Sequence, residues 1–373
     1  MRQLHHAFLA LALCASAPAA QEIPAPAIAP RSGPRWETSQ ELRNRFVRDQ
    51  TILGLTVYAP AFAVMVGRDG VTGSAGYLVM AGGSFFAAAE LTRHVQITEA
   101  RHVLSTAMAM RGAGSALLIA TQSDMDGRSA AAVTLLAGLG GTASGLHFGG
   151  GLTGGEAATT VFGHDLAWLT AFAITVAGDG DPWDSTGVDP VSSAVAWTAA
   201  GVGGYLGGRW YAGHAPHNIT VGDVQTLWIG ATIGAMGAGA TIASGDPNPE
   251  AVAVTLLAGG WVGVILTERT LVRRYDHTRS EGNLIALGGG AGALMGMGIG
   301  ILVSGEADRS GSATIGFATL GAVGGVLLTE RYLQPKRDEG RIAWLERVRI
   351  TPAGLVGIAA KSPGKYPLVS FTF

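Results

Sequence analysis

Thr278-Arg-Ser-Glu281-Gly-Asn-Leu-Ile-Ala-Leu-Gly288-Gly-Gly-Ala-Gly292-Ala-Leu-Met-Gly296-Met-Gly-Ile-Gly300-Ile-Leu-Val-Ser304 begins with a Thr followed three residues later by an acid. That spacing is a capping box, in which each side chain satisfies a backbone N–H that a helix start leaves orphaned. The run behind it predicts a helix of about 22 residues with almost no polar side chain, long enough to cross a bilayer. Gly288, Gly292, Gly296 and Gly300 fall one per turn on one face. A glycine inside a helix costs roughly 1 kcal/mol, so four in a row need a return. Close backbone packing of two helices, most often in a membrane, supplies it.

The same unit recurs along the chain. Thr38/Glu41, Thr153/Glu156, Thr220/Asp223 and Thr278/Glu281 are capping boxes, and Glu99 and Glu339 take equivalent places. From Glu41 to Glu339 these acids are spaced 58, 57, 67, 58 and 58 residues apart, the long interval holding an insertion at Asp179–Asp189. Ala132-Val-Thr-Leu-Leu-Ala-Gly138 returns letter for letter as Ala253–Gly259, and Leu266-Thr-Glu-Arg269 as Leu328-Thr-Glu-Arg331. An internal repeat of this period indicates an array of similar units. Each unit holds two apolar runs separated by an acidic or glycine turn. The expected fold is therefore all-α: about ten glycine-rich, membrane-length helices in five helical hairpins (residues 38–96, 97–152, 153–219, 220–277 and 278–338). Packing seams are expected at Gly141, Gly145 and Gly149, at Gly230 and Gly234, and at the four glycines of the opening stretch. The first helix is expected over about residues 50–67.

Composition narrows the class. The chain has 373 residues, of which 57 are Gly and only 14% are charged. A soluble two-layer array needs a polar outer stripe on each helix; residues 284–303 have none. Membrane lipid is the expected partner, with the chain itself or other envelope proteins as further ones. A net charge of −2 provides no basic field for nucleic acid.

The ends carry targeting readings. Arg2, the apolar Ala7–Leu13 and Ala17-Pro-Ala19 read as a secretory signal over residues 1–20, followed by a Pro/Ala-rich linker (21–37). Cleavage near Ala19 removes Cys14, the one cysteine, and with it disulfide and thiolate chemistry. The expected location is a bacterial cell envelope. Basic linkers between hairpins and acidic turns within them would put residues 36–49 in the cytoplasm, whereas a cleaved signal puts them outside, so inner and outer membrane both stay open. The tail, residues 339–373, is expected to form a helix turn and a short β-hairpin. Val369, Phe371 and Phe373 alternate, and that end is similar to the terminal strand signal of outer-membrane barrel proteins. The resemblance spans fewer than ten residues, and two strands cannot close a barrel.

Candidate chemistry is sparse. Asp179, Asp181, Asp184 and Asp189 crowd one loop with oxygen ligands of the kind calcium takes, but not in EF-hand order; a solvated acidic insertion is the plainer reading. His94, His102, His214, His217 and His277 fall at linkers and are expected to solvate helix ends. His164-Asp165 is expected near an interface. His147-Phe-Gly-Gly-Gly151 has no Gly-x-Ser-x-Gly elbow to serve, and Gly288-x-Gly-x-x-Ala293 follows a helix cap rather than a strand. Neither a catalytic centre nor a cofactor is expected. The expectation is a structural or assembly protein with glycine-zippered helices, with a pore or transporter as the alternative.

Overall fold

The computed structural model describes residues 39–179, 189–243, 245, 247–304, 311–333, 348–350 and 369–371. The expected signal peptide, the linker with Thr38, and residues 339–347 lie outside them. Ten helices fill the described region. Helix α1 runs Ser39–Leu53, a π turn Gly54–Tyr58, and Ala59–Val66. It is followed by α2 (Gly70–His94), α3 (Glu99–Gln122), α4 (Gly127–Phe148), α5 (Gly154–Asp179), α6 (Pro190–His214) and α7 (Val221–Ile242). Helix α8 is Pro249–Thr267 with a π turn Glu268–Val272, then come α9 (Arg279–Ser304) and α10 (Ser312–Leu333). Val348–Ile350 and Val369–Phe371 pair antiparallel, with Val348 opposite Phe371.

Helix α1 starts eleven residues before its expected apolar run. Its first turns are polar, yet Phe46 is fully buried with Ala88 and Ile97, and Leu42 packs on the same cluster. Burial of those two side chains extends the helix past the apolar segment. The π turn has a local cause as well: Pro60 has no N–H to donate to the carbonyl four residues back, and a wider turn absorbs the missing bond.

Consecutive helices pair most closely: α3 with α4, α5 with α6, α7 with α8, α9 with α10. Their contact lines are glycine. A Cβ placed on Gly292 or Gly321 would strike the other's carbonyl; one on Gly325 would strike the Gly288 carbonyl, and one on Gly288 the Thr329 side chain. Gly296 and Gly300 abut the Phe317 and Thr314 backbone of α10. Gly141 and Gly145 of α4 and Gly149 just after it lie against the backbone of Met108, Ser105 and Arg101 of α3. Gly230 and Gly234 of α7 meet Gly263 and Gly259 of α8. Gly290, Gly298 and Gly324 have nothing within 4 Å of that added atom, so glycine at the seams and glycine off them differ sharply.

Pairs then associate in a constant way. The first helices form a continuous row, α1 on α3, α3 on α5, α5 on α7 and α7 on α9. Each second helix also reaches back to the first helix of the preceding pair: α4 to α1, α6 to α3, α8 to α5, α10 to α7. Successive second helices, by contrast, barely meet. The result is a tight layer of odd-numbered helices and a splayed layer of even-numbered ones, with clefts between the latter floored by the former.

Eight helices, all but α6 and α7, are long and apolar enough to cross a membrane. Only 11–33% of each apolar window is buried inside the protein. Leu78, Phe86, Leu136, Leu206, Leu294 and Leu320 each expose about 70% of their surface. Leaving such a side chain in water forgoes roughly 1.5–3 kcal/mol, while lipid accepts it and obliges the backbone to be helical. These faces read as those of an integral membrane protein.

Candidate functional site

The glycine seams leave little room for polar side chains, so the buried ones stand out. Three groups of titratable residues lie between hairpins, each centred on a histidine beside a carboxylate.

The deepest is built on α3, α5 and α6. Arg111 is the thirteenth of the 24 residues of α3, about 18 Å along it at 1.5 Å per residue. Asp165 is the twelfth of 26 in α5. Arg111 offers Nε and Nη2 to the two carboxylate oxygens of Asp165, the bidentate fork that fixes geometry as well as charge. His164 Nδ1 lies 3.0 Å from the same carboxylate. Its ring sits against that of Tyr205 on α6, centroids 4.5 Å apart. Gly201 makes this possible, because a Cβ there would come within 2.6 Å of His164 Nε2. Arg111, His164 and Tyr205 line an open cavity of about 400 Å³ in the cleft between α4 and α6. The Tyr205 hydroxyl is buried without a hydrogen-bond partner among the described residues. His164 and Asp165 therefore sit deep in the helix layer, not at the interface expected from sequence. Arg111 is what takes them there: a charge in hydrocarbon requires an opposite charge beside it.

The second group lies near the start of α3. His102 Nε2 is 2.8 Å from Asp49 on α1, and His102 is buried. Further along α1, Tyr58 and Thr142 share a 2.8 Å hydrogen bond, with Thr142 donating to Gln50 at 3.4 Å.

The third joins the last two hairpins at their linker end. The Thr220/Asp223 box caps α7: Asp223 N donates to Thr220 Oγ1 at 3.1 Å, and Thr220 N to Asp223 Oδ2 at 2.8 Å. The other carboxylate oxygen reaches the next linker, taking the His277 N–H at 3.0 Å and lying 2.7 Å from His277 Nδ1. His277 Nε2 lies 3.0 Å from Glu330 Oε2 near the end of α10. All three residues are at most 4% exposed. Burial alone would depress the His277 pKa, but hydrogen bonds to Asp223 and Glu330, backed by their charge, outweigh it and raise it to about 9. The imidazolium is thus held between two carboxylates at neutral pH.

The linkers lie directly on helix starts, and glycine again allows it. A Cβ on Gly222 would strike the His277 and Thr278 carbonyls, and one on Gly155 the Ile219 carbonyl. Thr153 and Glu156 cap α5 reciprocally at 2.7 and 3.2 Å. Thr278 and Glu281 cap α9 at 2.8 and 3.3 Å. Glu41 sits in the first turn of α1. Of the acidic loop, Asp189 caps α6, accepting from Ser192 N at 3.1 Å. Asp179 closes α5, while Asp181 and Asp184 lie outside the described residues. Among those described, no three His, Cys, Asp or Glu are grouped to hold a metal.

Two functional candidates had a signal in the sequence that spacing arguments passed over. Arg111 interrupts the apolar run 103–120 at its centre. His277 occupies the residue before a cap, where the three preceding linkers have Ile97, Leu152 and Ile219, the place of a hydrophobic staple.

No family model, no curated protein and no solved structure matches this chain.

Proposed function

We propose that this chain is a non-enzymatic structural or assembly protein of a bacterial cell envelope membrane, built as five glycine-zippered hairpin repeats ending in a β-hairpin. The observation that carries the reading is the reciprocal backbone contact at the seams, Gly292 with Gly321 and Gly230 with Gly263. Helices this close gain van der Waals packing in lipid, where no hydrophobic drive joins them. The mid-depth charges support the same role, because Arg111 and Asp165 satisfy each other and tie the second hairpin to the third. The test is reconstitution into liposomes loaded with a pH-sensitive dye and a small solute. A structural protein leaves the vesicles tight at every protein-to-lipid ratio.

A second reading rests on one feature, the cavity onto which Arg111, His164 and Tyr205 open. Ionisable groups at that depth line proton or ion paths in transporters. Dye-reported proton flux that disappears in Asp165→Asn would replace the first reading with this one.

A further inference from the structure

The cleft between α8 and α10, floored by α7, is an open cavity of about 1340 Å³. Its walls are apolar along the helices, and its linker end is rimmed by Arg273, Arg274 and Arg331. The corresponding cleft between α6 and α8 is filled from within: Trp168 and Phe172 stack beside Trp197, and Trp261 of α8 donates to Thr170 of α5 at 3.2 Å. Tyr211 closes its linker end by bonding Glu268 at 3.0 Å. Between α8 and α10 the facing side chains are Val262, Leu266, Val323 and Leu327, all exposed, and none spans the gap.

We propose that this cleft binds one anionic glycerophospholipid, its phosphate at the arginine rim and its acyl chains along Val262, Leu266 and Val323. Charge and depth select that occupant. Val262 lies eleven residues before Arg273, about 16 Å along the helix, or roughly half the ~30 Å hydrocarbon core. An acyl chain with its headgroup at the rim therefore ends within the groove. Arg274 is exposed there, and guanidinium matches phosphate bidentately; basic pockets between membrane helices recognise anionic headgroups on this principle. A parallel helix from a second copy would set basic linker against basic linker. Arg273 is held by Glu268 at 2.8 Å and Glu330 bonds His277, so the exposed Arg274 is the rim cation that meets the phosphate. The inference rests on placement in a membrane, not on the scaffolding role, and holds equally for a transporter.

Native mass spectrometry of the detergent-purified protein, with phosphatidylglycerol and phosphatidylcholine added in equal amounts, tests it. The expected result is one retained phosphatidylglycerol, favoured at least tenfold over phosphatidylcholine. Arg274→Glu, an exposed change that leaves packing alone, should bring the ratio close to one. Val262→Trp, which fills the groove, should remove both adducts, and circular dichroism reports whether it still folds. Equal retention of the two lipids by the wild-type protein overturns the proposal, as does a preference that survives Arg274→Glu. A dimer that Val262→Trp converts to monomer, without lipid loss, would assign the cleft to a second copy instead.

Discussion

His277 Nε2 stands 3.0 Å from Glu330 Oε2, so the linker before α9 is bonded to the far end of the hairpin that it begins. With Asp223 on the other ring nitrogen, one imidazole joins the starts of α7 and α9 to the end of α10. Because its pKa is raised to about 9, the protonated form adds stability fully present below the unfolded value near 6.5 and lost as pH rises through 9. Thermal unfolding followed from pH 6 to 10 should show a falling midpoint across that upper window, and His277→Gln should flatten the fall. A midpoint independent of pH in the wild-type protein would contradict the charged triad.

Removing the imidazole entirely is harsher than changing its charge. His277→Ala takes the imidazolium away from two buried carboxylates, Asp223 and Glu330, and breaking a buried pair in this way costs about 3–5 kcal/mol. The triple change His277→Ile, Asp223→Asn, Glu330→Gln restores the apolar residue of the other linkers and removes both charges. It should recover a large part of the loss in a denaturation assay in detergent.

Arg111 and Asp165 pose the same test at mid-depth. Arg111→Met or Asp165→Asn alone strands a charge and should each destabilise by about 3–5 kcal/mol. The double variant should cost less than the sum, since residues in direct contact couple. Additive losses would mean that the two groups do not see each other.

The glycines separate into two classes that one substitution distinguishes. Gly290→Ala meets nothing within 4 Å and should be neutral or stabilise by up to about 1 kcal/mol through helix propensity. Gly292→Ala forces its methyl onto the Gly321 carbonyl and should destabilise by about 1–3 kcal/mol as an overpacked contact. Unfolding midpoints of the two variants, measured side by side, check the contrast.

Most helix boundaries were legible, and glycine faces could be expected, because both follow from local rules. A Thr-x-x-acid box marks a start wherever it occurs, and a four-residue glycine spacing marks a face whatever lies opposite. The polar interior was less legible because partners are distant in sequence. Asp165 reads as a solvated acid until Arg111, 54 residues earlier, is placed beside it. His277 reads as a linker residue until Glu330 arrives from 53 residues later. The early start of α1 depends on Phe46 finding Ala88 and Ile97, which no local pattern announces. The splay between alternate helices is a property of the stacked hairpins and has no counterpart in any one of them.

All of these readings depend on the outward apolar faces, Leu294 and Leu136 among them, lying in lipid. Alkaline carbonate extraction of membranes from cells making the protein tests this most directly. The chain should stay in the membrane pellet and come out only with detergent. Release into the alkaline supernatant as a folded, helical protein would contradict the membrane placement and with it the account of the glycine seams.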